Sequence, residues 1–347
     1  MSNELRYSVY HFKKTLIRLA LMTLYSLIVI NSEVHNSWQS GIGKELQHSF
    51  SFTDFSVNIL LLGFVVAMLE FAEFKNRRNL DTWFSLPVER WKIATIHFVN
   101  GAVQLFIAHT LSFIWGVICV SPFIKECSLN MGYMFAMYFA VLGLGLVYYG
   151  LMIFPFMVAN NTLDGVIFAI SYNIVPLVVL GFLESLVKRN GFSSYEDGLI
   201  SITYDVAHML CTNFYIERGR PDTLETTDIV WMVIWIVIGL AGLVLAIVLF
   251  DRKRAEKIGG TSDSILGYRL IIPVIMILTV LMSGGTPIIG TLYGIVTFIG
   301  YIIFRRGIKL HIPDIVVIAV VTILANIPVE YVHWMRKLII GTAGIFH

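Results

Sequence analysis

The chain has 347 residues, of which 57% are hydrophobic and 14% charged, and its formal net charge is +2. Soluble domains carry about 25% charged residues, so the composition excludes an ordinary soluble domain, and we expect no nucleic-acid partner. Continuous apolar runs of about 16–25 residues recur, long enough to cross a hydrocarbon core about 30 Å thick. Because backbone in lipid must be satisfied within helices or a closed barrel, and the runs do not alternate, we predict an all-α polytopic membrane protein.

Nine apolar segments follow one another along the chain. They are residues 15–31, 55–73, 93–120, 130–158, 165–187, 229–250, 270–282, 287–304 and 311–327. Residues 1–14 precede the first, and apolar Leu5, Val9 and Phe12 alternate there with basic side chains. This pattern predicts either an amphipathic helix lying on the inner interface or a basic flank that only sets topology. No small-residue cleavage site follows the first run, so we expect no cleavable signal peptide.

The basic residues favour one orientation of these segments. With the N-terminus inside, about two thirds of the 25 lysines and arginines fall in inner segments, as the positive-inside rule requires. We therefore expect a multi-pass membrane protein with a cytoplasmic N-terminus. The run 270–282 is short and is followed by the breaker SGGTP. Residues 270–304 are thus either a re-entrant hairpin or two spans, and the side of the C-terminus stays open.

Two connecting segments are distinctive. The inner segment 74–92 is a compact charged island between two apolar runs, and 188–228 is the largest outer segment. Within the latter, Leu199, Ile202 and Val206 recur at helical spacing, which predicts an outer amphipathic helix. Cys127 and Cys211 both fall in outer loops and either pair in a disulfide or remain free thiols.

Polar side chains within the predicted spans are the next candidates for function, since they are costly in lipid. His97, Asn100, Gly101 and Gln104 share one face of the third span. They either line a substrate path or make hydrogen bonds between helices near the inner interface. Glu70 and Glu73 lie one turn apart at the end of the second span, where they either pair with Arg77 or Arg78 at the interface or carry protons.

Motifs for chemistry are missing from the sequence. There is no G-x-x-x-x-G-K-[ST], no H-E-x-x-H and no G-x-S-x-G, and the nine histidines show no metal-ligand spacing. We therefore predict that the chain is not an enzyme, with no catalytic residue, metal or cofactor of its own. A transport function would need energy from a partner.

The charged island also carries a resemblance. Its sequence NRRNLDTWFSLPVER, residues 76–90, resembles the inner loop of bacterial ABC-2 type permeases, where a pattern like R-x-x-D-x-x-x-S-L-P-[VI]-x-R opens the third span. The segment RKRAEKIG, residues 252–259, looks like a second motif of a Firmicute-type branch. The likeness in layout covers about residues 1–270, whereas its specific motifs span about 25 residues.

The resemblance implies a domain layout and a mechanism. Residues 1–14 would form an elbow helix and 15–250 a six-span core in the bacterial plasma membrane. Residues 251–347, a charged inner loop with about two to three extra membrane segments, depart from the family's six-span pattern. The loop would dock a separate ATPase subunit, which holds ATP and Mg and drives export. The docking residues would be Asp81, Trp83, Phe84, Leu86, Pro87, Glu89 and Arg90.

Two functions of different class follow. The first is the permease subunit of an ABC exporter, paired with an identical or related permease, embedded in membrane lipid and moving an amphipathic or hydrophobic peptide or lipid-like antimicrobial outward. The second is a non-transporting sensor or immunity protein that binds a toxin or envelope-active peptide. An ATPase that co-purifies with the chain would discriminate between them.

Overall fold

The computed structural model describes residues 3–39, 52–76, 88–120, 131–189, 226–252, 258–260, 262, 264–283 and 287–326. Helices occupy almost all of these residues, which include no strand. In chain order the helices are α1 (Asn3–Gln39), α2 (Phe52–Ala72), α3 (Arg90–Val120), α4 (Met131–Val158), α5 (Thr162–Arg189), α6 (Thr226–Arg252), α7 (Leu270–Ser283), α8 (Pro287–Arg305) and α9 (Ile312–Asn326). Each predicted apolar segment coincides with one of them, which confirms the all-α prediction.

Four segments of the described helices are long and apolar enough to cross a membrane. They are Glu4–Ser32, Val57–Lys75, Arg90–Cys119 and Tyr138–Val158. The chain is therefore a helical membrane protein. Helix α7 differs from these segments, because its 14 residues extend only about 21 Å, less than a hydrocarbon core of about 30 Å.

The residues predicted as an elbow helix or a basic flank belong to α1. Residues 3–14 are the first turns of α1 and continue into its apolar part without a break. Tyr7 and His11 in these turns make side-chain contacts with α3 and α2, respectively. These contacts pack the first turns of α1 against the bundle, and a role of residues 1–14 as an elbow at the membrane interface stays a prediction.

The chain divides into two compact units, and the first holds the described parts of Met1–Val166 and Cys211–Gly259. Within it α2 packs on α1, α3 and α4, α1 packs on α3, and α6 packs on α3 and α4. An apolar core joins α1, α2, α3 and α4 at the end of this unit that holds the start of α2 and the end of α3. Its buried residues are Ile30, Ile59, Phe113, Tyr138, Val141 and Leu142.

Glycines permit the closest helix contacts in this first unit. A Cβ atom at Gly145 would lie 2.5 Å from Ile59 Cδ1, so only a hydrogen lets α2 and α4 approach so closely. A Cβ at Gly150 would lie 3.2 Å from the Gly239 carbonyl oxygen of α6. Small residues at helix interfaces serve this purpose in membranes. Gly143 has no neighbour within 4 Å of such an atom and does not contribute in this way.

The second unit contains Ile167–Leu210 and Gly260–His347 in their described parts. Here α7, α8 and α9 pack on one another around buried Val280, Val321 and Ala325. Arg305 at the end of α8 makes two hydrogen bonds to Asp314, whose carboxylate also accepts the His311 backbone N–H. This pairing closes the turn between α8 and α9.

Candidate functional site

A buried polar cluster joins α1, α2 and α3 at the end of the first unit where α2 ends and α3 begins. The part of the chain between these helices, residues 76–89, is called the 76–89 loop below, and most of it lies outside the described residues. The members of the cluster are Tyr7, His11, Thr15, Arg18, Glu70, His97, Asn100 and Gln104. Buried polar groups in a membrane bundle are expensive unless they are satisfied. The cluster is therefore the most distinctive chemical feature of the described residues.

Helical spacing brings these side chains together. On α1, His11, Thr15 and Arg18 recur at intervals of four and three residues, which places them on one face. On α3, His97, Asn100 and Gln104 do the same, as the sequence predicts. All three α3 side chains are buried. Their face is directed at α1 and α2.

The Glu70 carboxylate lies at the centre of the cluster and is 1% exposed. Its Oε1 accepts hydrogen bonds from Asn100 Nδ2 at 2.7 Å and from Gln104 Nε2 at 2.8 Å. The Arg18 guanidinium donates to the same oxygen and, through Nε, to Gln104 Oε1 at 3.0 Å. The carboxylate of Glu70 on α2 thus accepts hydrogen bonds from side chains of both α1 and α3.

The second carboxylate oxygen faces two histidines. Glu70 Oε2 lies 2.8 Å from His11 Nε2 and 3.0 Å from His97 Nδ1. The two imidazole rings are 3.8 Å apart between centroids. The other nitrogen of His97 lies 2.8 Å from the Tyr7 hydroxyl, so this ring bridges α1 and α2.

Further polar contacts hold the stems of the 76–89 loop. Lys75, which is buried, donates to the Ala159 carbonyl at 2.6 Å, and so joins the end of α2 to the end of α4. Lys14 pairs with Glu73 at 2.9 Å. On the other stem, Lys92 of α3 lies 2.8 Å from Glu4 of α1. Both stems are thus tied to neighbouring helices.

The predicted docking residues are described only in part. Glu89 and Arg90 lie at the start of α3, where Glu89 accepts from the Trp91 indole at 2.7 Å. The others lie outside the described residues, namely Asp81, Trp83, Phe84, Leu86 and Pro87. Cys127 and Cys211 and most of the 188–228 segment also lie outside them, so these predictions stay predictions.

The residues on the predicted substrate path are brought together by the structure. His97, Asn100 and Gln104 all hydrogen-bond Glu70 of α2. Hydrogen bonding between helices is one of the two roles that the sequence predicts for this face, and a substrate path is the other. Whether a substrate passes them stays a prediction. A Cβ atom at neighbouring Gly101 would lie 2.6 Å from Tyr149 Cζ, so this face packs closely against α4 as well.

Sequence reasoning missed the partners of Glu70. It predicted Arg77 or Arg78, which lie outside the described residues, whereas the structure supplies Arg18 and His11 from α1. The signal that could have found them is the polar face of α1, because a histidine, a threonine and an arginine seldom line up on one side of an apolar helix without a partner.

Three members of the cluster have the chemistry of metal ligands. The ligand atoms offered by His11, Glu70 and His97 lie within 4.8 Å of one another. Two imidazoles and a carboxylate form a donor set that suits zinc and related transition metals. The spacing of these residues along the chain concealed the set, because each comes from a different helix.

No protein family, no curated protein and no solved structure matches this chain.

Proposed function

We propose that the chain is the membrane-spanning permease subunit of an ATP-driven ABC exporter. Separate ATPase subunits would dock on residues 79–90 and power outward movement of an amphipathic or hydrophobic peptide or lipid-like compound. One observation carries the proposal. The loop with the permease-like sequence emerges from two helices whose stems are joined to α1 by the buried polar cluster.

This arrangement is suited to transmitting motion. Glu70 lies five residues before Lys75, in the turn that follows α2, and His97 lies seven residues after Arg90 at the start of α3. Since Glu70 hydrogen-bonds residues of α1 and α3, a displacement of the loop acts on three helices together. A buried polar network that links three helices couples their movements more tightly than isolated contacts do.

The grouping of the chain's connections supports the expected orientation. The Gly259 backbone N–H donates to the Asn160 carbonyl at 2.8 Å, and Lys75 reaches Ala159. The connections that follow α2, α4 and α6 therefore meet at one end of the first unit. Two of them are the basic segments expected on the cytoplasmic side, which is where an ATPase would be found.

The proposal also includes a second permease, identical or related, and a surrounding bilayer of the bacterial plasma membrane. Along α1, apolar side chains such as Ile17 and Ile28 are 77% and 60% exposed. Lipid or a second subunit would cover such a face. ATP and Mg would be held by the ATPase partners, because the sequence of this chain has no nucleotide-binding motif.

Co-purification with a candidate ATPase tests the proposal. The full chain and the ATPase are co-expressed, extracted in mild detergent, and the bound ATPase is quantified. Replacing Trp83 and Phe84 by aspartate removes the expected aromatic anchors, each worth about 2 kcal/mol or more at an interface hot spot, so binding should fall at least about tenfold.

Trp38→Asp is the matched control, since the expected topology places Trp38 on the opposite side of the membrane. It should leave ATPase binding unchanged. Equal binding by the wild type and the double variant would overturn the docking claim. Loss of binding with Trp38→Asp alone would overturn the orientation. If no ATPase binds the wild-type chain, the sensor or immunity function becomes the better account.

A further inference from the structure

We infer that His11, Glu70 and His97 form a binding site for one divalent transition-metal ion, of which Zn²⁺ is the best fit. The three side chains come from α1, α2 and α3, and all three are buried. These three residues would bind the metal whether or not the chain is an exporter.

The geometry is close to that of a ligand set. In tetrahedral sites with metal–ligand distances of 2.0–2.2 Å, neighbouring donor atoms are about 3.4 Å apart. Glu70 Oε2 is 2.8 Å from His11 Nε2 and 3.0 Å from His97 Nδ1. A metal would therefore replace these two hydrogen bonds after the donor atoms separate by about half an ångström.

The surroundings supply what ligating groups require. A ligating histidine usually donates its other ring N–H to a hydrogen-bond acceptor, and a ligating carboxylate is itself hydrogen-bonded. With Nδ1 on the metal, His97 Nε2–H would donate to the Tyr7 hydroxyl, which lies 2.8 Å away. Glu70 would keep Arg18 and Asn100 on Oε1 and offer Oε2 to the metal.

One hydrogen-bond acceptor next to the three proposed ligands has no donor within the described part of the chain. Asn100 is 6% exposed, and its Oδ1 is buried without a hydrogen-bond partner among the described residues. The amide nitrogen and oxygen of Asn100 can be told apart, because the carboxylate of Glu70 accepts a hydrogen bond and only Nδ2 can donate it, at 2.7 Å from Oε1. Asn100 therefore brings an oxygen without a donor into the group of side chains that surrounds the proposed ligands, and leaving a buried polar atom unpaired is costly.

The consequence would be a metal link between the stems of the 76–89 loop and α1. Imidazole and carboxylate ligands favour Zn²⁺ over Mg²⁺ or Ca²⁺, which prefer sets made of oxygen alone. Zn²⁺ would then stabilise the three helices against separation by mass action.

Metal titration of the full chain in detergent tests the site. The protein is stripped with chelator, titrated with Zn²⁺ and assayed by elemental analysis and calorimetry. Co²⁺ serves as a spectroscopic probe, because a histidine and carboxylate site gives visible d–d absorption. We expect one Zn²⁺ per chain and no stoichiometric binding of Mg²⁺. His11→Ala and His97→Ala should each weaken Zn²⁺ binding at least about tenfold, given that even outer partners contribute 10–100-fold.

His109→Ala is the matched control, because His109 is also a buried histidine of α3 but lies outside the cluster, against the Tyr138 carbonyl. It should bind Zn²⁺ as the wild type does. If His97→Ala fails to fold, Tyr7→Phe takes its place in the titration. It removes the hydrogen-bond partner of His97 Nε2 and should weaken Zn²⁺ binding about tenfold. Absence of stoichiometric Zn²⁺ in the wild type, or equal loss in His109→Ala, would overturn the site.

Discussion

The two ends of the first unit are held together by different means. At one end Ile30, Ile59, Phe113 and Tyr138 pack in an apolar core. At the other, where the 76–89 loop departs, the same helices α1, α2 and α3 meet through a carboxylate and its donors, centred on Glu70. The first end is held by the close fit of apolar side chains, and the second by hydrogen bonds to a buried charged group.

The two kinds of contact respond differently to change. Apolar packing consists of many small dispersion contacts, so a lost methyl group costs a limited amount. A buried polar network is directional, and removing one member leaves the others buried without partners. We therefore expect the loop-bearing end to be the more sensitive to single substitutions and the better suited to switching between discrete arrangements.

Glu70→Ala should have the largest effect on stability. It leaves the Arg18 guanidinium and the Asn100 and Gln104 amides without their common acceptor, which should cost about 3–5 kcal/mol, as for a broken buried ion pair. The measurement is the free energy of unfolding of the detergent-solubilised chain in a denaturant titration.

Glu89→Ala is its control. Glu89 lies at the same end, but its side chain is 62% exposed, so unfolding should hardly change. Equal effects of the two substitutions would contradict the central role of Glu70.

Gly145→Val sharpens the comparison from the apolar end. A side chain there collides with Ile59, whose Cδ1 would lie 2.5 Å from the new Cβ, and overpacking of this kind costs about 1–3 kcal/mol. Gly143→Val, two residues earlier, meets nothing within 4 Å and should be nearly neutral. Thermal unfolding of both variants checks the difference, and equal destabilisation would show that helix propensity rather than packing decides.

Arg18→Lys tests the directionality of the charged end. Arginine donates to Glu70 and Gln104 at once, whereas an ammonium group cannot reproduce this planar arrangement. Losing one hydrogen bond to a charged network should cost about 1.5–2 kcal/mol in the free energy of unfolding. A neutral outcome would indicate that Arg18 contributes charge alone.

Lys14→Ala should have the smallest effect. Its pair with Glu73 lies at the edge of the cluster, with the lysine side chain 51% exposed, and such pairs contribute about 0–1 kcal/mol. The same unfolding titration at low and high salt checks the value, which should shrink as salt screens the pair. If Lys14→Ala destabilised the chain as much as Glu70→Ala, the partly exposed pair would contribute as much as the buried carboxylate, contrary to this expectation.

The sequence predicted the helices well for a physical reason. Apolar runs in a membrane protein end where charged or breaking residues begin, and these ends are visible in the chain. The predicted 130–158 segment, for example, corresponds to α4 at Met131–Val158. The polar face of α3 was equally accessible, because His97, Asn100 and Gln104 follow helical periodicity.

The centre of the cluster was not predictable in the same way. Glu70 contacts His11 and Arg18 across 59 and 52 residues of sequence, and periodicity within one helix carries no information about which helix lies opposite. The continuity of α1 was not predictable from periodicity either, since its first turns are held by long-range contacts of Tyr7 and His11.

Hydrogen exchange directly measures whether the cluster ties both stems of the loop to α1. The full chain in lipid nanodiscs is compared with Glu70→Gln, which keeps the shape of the side chain and removes its charge. We expect the amides of residues 71–76 and 90–96 to exchange at least about tenfold faster, equivalent to about 1.4 kcal/mol of local opening, while those of residues 113–119 stay unchanged. Unaltered stems, or equal acceleration at both ends, would contradict the claim.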